Sequence, residues 1–306
     1  MRALLDALSP NAVRGIGALA GLLGGLAAGL VADVLPRRYD IEQLVVGRAR
    51  TRRNVAIAAI GVAIGYGLAH FVTLVPDASA SRAAFYFSVN LTLCLALVAA
   101  AAVDLEHMIL PNELTLGGAL LALATAQWRA IGVVGSLIGI AVGLALTYVP
   151  FVIYKRVRGR SGMGLGDAKL ALFAGAWLGA PGAIFVVFAG ALQSALCAAI
   201  MRIFGVSFAV PASVQAELAA LRAKADAGDE EARSLLADDP MAVDVATKGE
   251  ASEDGALPAG GPTKNAAPSF ATMRLPMGPF LVLACLEFVL ARRQILDLFD
   301  RYVAPP

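Results

Sequence analysis

Charge is scarce in this chain of 306 residues: Asp, Glu, Lys and Arg make up 16% of it, against 58% hydrophobic residues. Soluble globular chains carry about a quarter charged residues, so the composition excludes an ordinary soluble protein and makes nucleic acid a poor partner. Cysteine is scarcer still, with Cys94, Cys197 and Cys285 each isolated in an apolar run. Without a C-x-x-C pair, neither a disulfide framework nor a structural zinc site is readable. His70 and His107 are the only histidines. A metal grouping of Asp104, Glu106 and His107 is conceivable but short of ligands, and no metal is expected. The first apolar stretch lacks a small-x-small cleavage site and reads as a retained helix.

What remains is apolar and segmented. Runs at 13–35, 54–75, 84–103, 131–154, 183–204 and 276–297 reach the roughly 20 residues that a spanning helix needs, and shorter ones occupy 112–126 and 168–181. The expected fold is an all-α, polytopic membrane bundle of about eight transmembrane helices. The charge is unevenly spread. Residues 206–272 hold 11 acidic and 5 basic residues, leaving 20 basic and 12 acidic for the rest. That acidic stretch, rich in Ala, Gly and Pro, has too little apolar surface to offset ordering entropy; it reads as a mostly disordered insert with one short helix near 213–225. The domains expected are 1–83, an N-terminal two-helix region; 84–204, the membrane core; 205–273, the insert; and 274–306, the last helix and tail.

Cytoplasmic loops collect Lys and Arg. Residues 36–53 hold six arginines, and alternation then puts 104–111, 155–167 and the insert on the same side. The loops at 76–83, 127–130 and around Pro181 hold only Arg82 and Arg129, as the bias requires; Arg292, Arg293 and Arg301 run against it. In helix one, Gly21, Gly25 and Gly29 form a side-chain-free face suited to close packing.

Ionisable residues in or beside spanning helices are costly, which directs attention to Asp104, ending one apolar run, and Asp167, opening another. Topology puts both on the cytoplasmic side. A single Asp there also serves as a helix cap or dipole partner. Two carboxylates brought together in a poorly hydrated site do not both ionise readily: one holds a proton while the other can activate water. Gly164 and Gly166 would let a substrate backbone come close to Asp167. Lys169 can snorkel to headgroups or favour ionised carboxylates.

The flanking residues carry a resemblance. Asp104 with Pro111-Asn112, then Gly164-x-Gly166-Asp167-x-Lys169, then Pro276-Met277-Gly278-Pro279-Phe280, resemble the ordered motifs of the type IV prepilin peptidases. These are membrane aspartic proteases with a G-x-G-D element. The resemblance implies that Asp104 and Asp167 are the catalytic pair. It also implies that the chain is a multi-pass protein of the bacterial inner membrane with its site toward the cytoplasm. Its substrate would be a prepilin or pseudopilin, cut between its basic leader and a hydrophobic run, after Gly. Many members carry a domain with two C-x-x-C pairs between the first two helices and methylate the new N-terminus with S-adenosylmethionine. Here Leu35-Pro36-Arg37-Arg38 runs directly into Tyr39-Asp40-Ile41-Glu42. The four cysteines are absent, which removes the basis for zinc and leaves N-methylation and its cofactor without support from the sequence. Presenilin-type proteases share G-x-G-D, but their Tyr-Asp and Pro-Ala-Leu elements have no counterpart in an apolar segment here. A transporter or a non-catalytic assembly factor of a secretion or pilus system is the alternative. A transporter would hold its carboxylates near the midplane of repeated halves, and no repeat is visible.

Overall fold

The computed structural model describes residues 9–39, 41, 44–73, 80–158, 164–206, 211–238, 276–292 and 294–295. Among them are nine α-helices and no strand: α1 Pro10–Val34, α2 Gly47–Thr73, α3 Ala80–His107, α4 Asn112–Ala124, α5 Gly132–Arg158, α6 Leu165–Ile203, α7 Ala212–Asp226, α8 Glu230–Asp238 and α9 Gly278–Leu290. Four of them (α1 extended to Tyr39, α3, α5 to Val157, and α6) are long and apolar enough to cross a membrane, and α4 and α9 are apolar but shorter. The chain is thus an all-α membrane helical protein, as its composition implies.

Its centre is α3, which packs against α1, α2, α4 and α9, and α6, which packs against α4, α5 and α9. Leu93, Cys94, Leu97, Phe173, Leu281, Cys285 and Phe288 fill the space between α3, α6 and α9. The two outer pairs depend on glycine. A Cβ at Gly25 would meet the Ala58 Cα at 2.8 Å, and one at Gly21 or Gly61 would collide with the backbone of the opposite helix. Gly139 and Gly175 play the same part between α5 and α6. In lipid, where apolar surface gains nothing from contact with apolar surface, such close approach is what holds helices together.

One expectation is sharpened and another changes. Segments 168–181 and 183–204 are two helical halves, as expected, and they meet within α6 without an intervening loop: Gly179 has φ 80°, ψ −173°, and Pro181 follows. The carbonyls that end the first half are met by other donors. Pro181 has no N–H for the Trp177 carbonyl. Arg129, 8% exposed, instead donates to the carbonyls of Trp177 (2.5 Å), Ala176 (3.2 Å) and Ala122, while the Ser136 hydroxyl donates to Ala176 (2.5 Å). The insert also has more helix than expected. The short helix near 213–225 is present as α7, but α8 follows it, begun by Asp229, whose carboxylate accepts from the N–H groups of Glu231 and Ala232. Asp229-Glu230-Glu231 is a helix-start signal that composition alone obscured. The remaining insert residues, 207–210 and 239–273, lie outside the described residues.

Candidate active site

Asp104 sits in the last turn of α3 and Asp167 in the first turn of α6, and the two side chains lie within electrostatic reach of each other. Asp104 is 6% exposed, and Asp167 is partly exposed. The sharp turn after α3 makes the meeting possible. Met108 lies in the left-handed region, φ 54°, where helices commonly end on glycine, and this turns residues 109–111 back toward the bundle. Pro111, fully buried, then starts α4; its carbonyl accepts from the N–H groups of Leu114 (3.2 Å) and Thr115 (3.1 Å) and from the Thr115 hydroxyl (3.0 Å).

Each carboxylate is met by backbone. The Gly278 N–H, at the start of α9, donates to Asp104, and the Gly164 N–H donates to Asp167. A Cβ at Gly278 would fall on the Asp104 carboxylate, so only glycine allows α9 to lie this close. Asp167 reaches back from the third helical position to its N-cap residue, half of a capping box, so a capping role coexists with its place in the pair. At Gly166 a Cβ would lie 2.8 Å from Leu110 Cδ1, so the missing side chain makes room for Leu110. Gly164 is exposed.

Lys169 and Asn112 come together, the Lys169 Nζ donating to the Asn112 Oδ1 at 2.7 Å. Asn112 thereby takes the cation that could have snorkelled or paired with Asp167. Glu106 is bound by Arg53 (2.5 Å), which also pairs with Asp33; Arg50 pairs with Asp33 at 2.6 Å, and Asn54 donates to it at 3.2 Å. This network ties the ends of α1, α2 and α3 together and takes Glu106 out of any metal grouping with Asp104. The three described ion pairs all belong to this network; among the described residues neither Asp104 nor Asp167 has a cationic partner. Cys94 and Cys285 are buried in the core, and no three His, Cys, Asp or Glu side chains gather among the described residues, so the donors do not fit a structural zinc. The sequence reading missed Tyr39, Glu113, Asp33 and Arg53. Asp33, an acid inside an apolar helix, was the signal available for the last two.

Two carboxylates from separate helices thus lie near each other at one end of the bundle, with no cationic partner among the described residues. The comparisons agree over part of the chain: the Type IV leader peptidase family matches residues 91–200, a segment that contains both aspartates, and the resemblance to the type IV prepilin peptidases is borne out there. The chain is similar to the prepilin leader peptidase/N-methyltransferase of Xanthomonas campestris pv. campestris, 33% identical over 115 residues, covering 34% of this chain and 37% of that protein. The protein of that name from Burkholderia pseudomallei is 32% identical over 131 residues, 42% of this chain and 40% of the relative. The one from Aeromonas hydrophila is 37% identical over 86 residues, 27% of this chain and 29% of the relative. The chain therefore spans well under half the length of these relatives. No solved structure matches it.

Proposed function

We propose that the protein is a membrane aspartic endopeptidase that removes the basic leader of prepilins or pseudopilins at the cytoplasmic face of the bacterial inner membrane. The observation that carries this reading is the meeting of Asp104 and Asp167, from helices far apart in sequence, with backbone N–H donors and no described cation beside them. A salt-bridged pair would be committed to structure; a facing pair without counter-ions can share a proton.

In the reaction, the ionised member of the pair takes a proton from water as the oxygen attacks the scissile carbonyl carbon. The protonated member donates to the carbonyl oxygen as negative charge develops there. Collapse of the tetrahedral intermediate expels the leaving amine, which takes up a proton from the pair. The roles belong to the pair, because coupled carboxylates titrate together. The Gly278 N–H orients Asp104 and the Gly164 N–H orients Asp167. The peptidase step is hydrolysis by two side chains and water and needs no cofactor or metal; N-methylation would be a separate activity, with S-adenosylmethionine as its cofactor.

Asp104→Asn and Asp167→Asn should each abolish leader cleavage of a co-expressed prepilin at unchanged enzyme abundance. Full processing by either variant sinks the assignment. Mass spectrometry of the processed pilin N-terminus separates the two activities, and a methyl increment that depends on this protein would contradict the restriction to hydrolysis.

A further inference from the structure

The first N–H groups of a helix have no partner within it, and α4 begins after Pro111, which has no side-chain oxygen to offer and makes no side-chain capping bond. The missing acceptor comes from far away in the chain. The Tyr39 hydroxyl, at the end of the short 3-10 turn Leu35–Tyr39, accepts from the Asn112 N–H at 3.0 Å and donates to the Glu113 Oε2 at 2.7 Å. Asn112 passes the connection on: its Oδ1 accepts from Lys169 Nζ at 2.7 Å, two residues beyond Asp167. Tyr39, α4 and the first turn of α6 are thus joined by one chain of hydrogen bonds.

Two residues before this anchored point, Leu110 separates the two halves of the site. Leu110 packs on Gly166, beside Asp167, with its Cβ 3.3 Å from where a Gly166 Cβ would stand; its Cδ1 lies 3.5 Å from the same point at Gly278, the residue that donates to Asp104. Leu110 is a spacer between the turn carrying Asp167 and the turn supporting Asp104. Toward α3 it is held only by a short turn through Met108. Toward α4 it is held by whatever fixes the helix start, and Tyr39 does that.

We infer that Tyr39 is a positioning residue: through Asn112 and Glu113 it fixes the start of α4, and so the Leu110 spacer that sets how Asp104 faces Asp167. The inference rests on the peptidase reading above and adds a residue to it. The connection after α1 then works on the site as well as joining two helices. Misplacing a reacting group by about 1 Å can cost on the order of a hundredfold in rate, while the loss of one partly exposed hydroxyl leaves the fold intact.

The test uses the full chain in membranes, a prepilin substrate and the variant Tyr39→Phe, which keeps the ring and removes the hydroxyl. The expected result is a kcat lowered about tenfold with KM, abundance and melting temperature close to the parent's. A purely structural tether would lower abundance or melting temperature and leave kcat per folded enzyme unchanged, which would overturn the inference. A second measurement needs no catalysis. Cysteines placed as Leu110→Cys and Gly166→Cys would have Cβ atoms 3.3 Å apart, just inside the roughly 3.5 Å at which disulfides begin, so a small shift lets them bond. Oxidation should cross-link them rapidly when Tyr39 is present and several-fold more slowly beside Tyr39→Phe. A cross-linking rate indifferent to Tyr39 overturns the positioning role alone. A parent enzyme that cleaves no prepilin overturns the peptidase reading instead, so the two failures are told apart.

Discussion

The two ends of the bundle both bury charge, and they treat it in opposite ways. At one end Arg129 is surrounded by the carbonyls of Ala122, Ala176 and Trp177. Its charge closes the break in α6 that Gly179 and Pro181 open. At the other end Asp104 and Asp167 lie within electrostatic reach of each other, each with a single described backbone donor, Gly278 and Gly164. Beside them Asp33, Arg50, Arg53 and Glu106 neutralise one another. A buried charge answered by dipoles or counter-ions serves the fold. A pair left facing each other is costly to the fold alone and is the usual mark of chemistry.

The sharpest way to break this contrast is at Gly278. Gly278→Ala should lower leader cleavage by about a hundredfold or more, because the new Cβ displaces the Asp104 carboxylate from its donor. Cleavage assays at matched abundance decide it, and an active variant would mean that α9 does not shape the site. Arg129→Met should act on the other side of the comparison. It strips donors from three carbonyls and should cost about 3 kcal/mol of stability, read as a fall in the detergent melting temperature. An unchanged melting temperature would show that the break in α6 closes without Arg129. Arg53→Met should cost about 2 kcal/mol, less because Arg50 and Asn54 still reach Asp33, and adding Glu106→Gln should recover part of it. Met108→Val should lower stability by about 1 kcal/mol, since a β-branched residue resists the left-handed region, with a matching drop in activity if the turn sets the carboxylate spacing. Deleting residues 210–270 should change cleavage least. Loss of cleavage in a normally inserted variant would make the insert, with α7 and α8, a docking element.

Much of the architecture was legible because it is periodic or local. The apolar runs give the helices, and Gly21 and Gly25 do lie where α2 comes closest. The start of the second helix, in the Arg-rich stretch, and the end of the third do share an end of the bundle, where Arg53 meets Glu106. Asp104 and Asp167 stood out as acids at the edges of apolar runs. The second insert helix was hidden because composition averages over the cap at Asp229. The break at Pro181 was legible, but the cap on the helix that ends there was hidden, because it comes from an arginine some 50 residues earlier. Tyr39 was visible only as part of a family-like segment, since nothing in its neighbourhood shows that its hydroxyl reaches Asn112.

By itself the sequence determined that this is a helical membrane protein and that two acids stand at helix edges. Those properties follow from hydropathy, charge bias and spacing, each read within about twenty residues. Only the tertiary structure decided that the acids come near each other, that Gly278 supports one of them, that Leu110 fills the space at Gly166, and that Lys169 turns to Asn112. These are contacts between segments tens to more than a hundred residues apart. They depend on how closely glycine lets helices approach and where each helix ends, and such packing leaves no periodic trace in the chain.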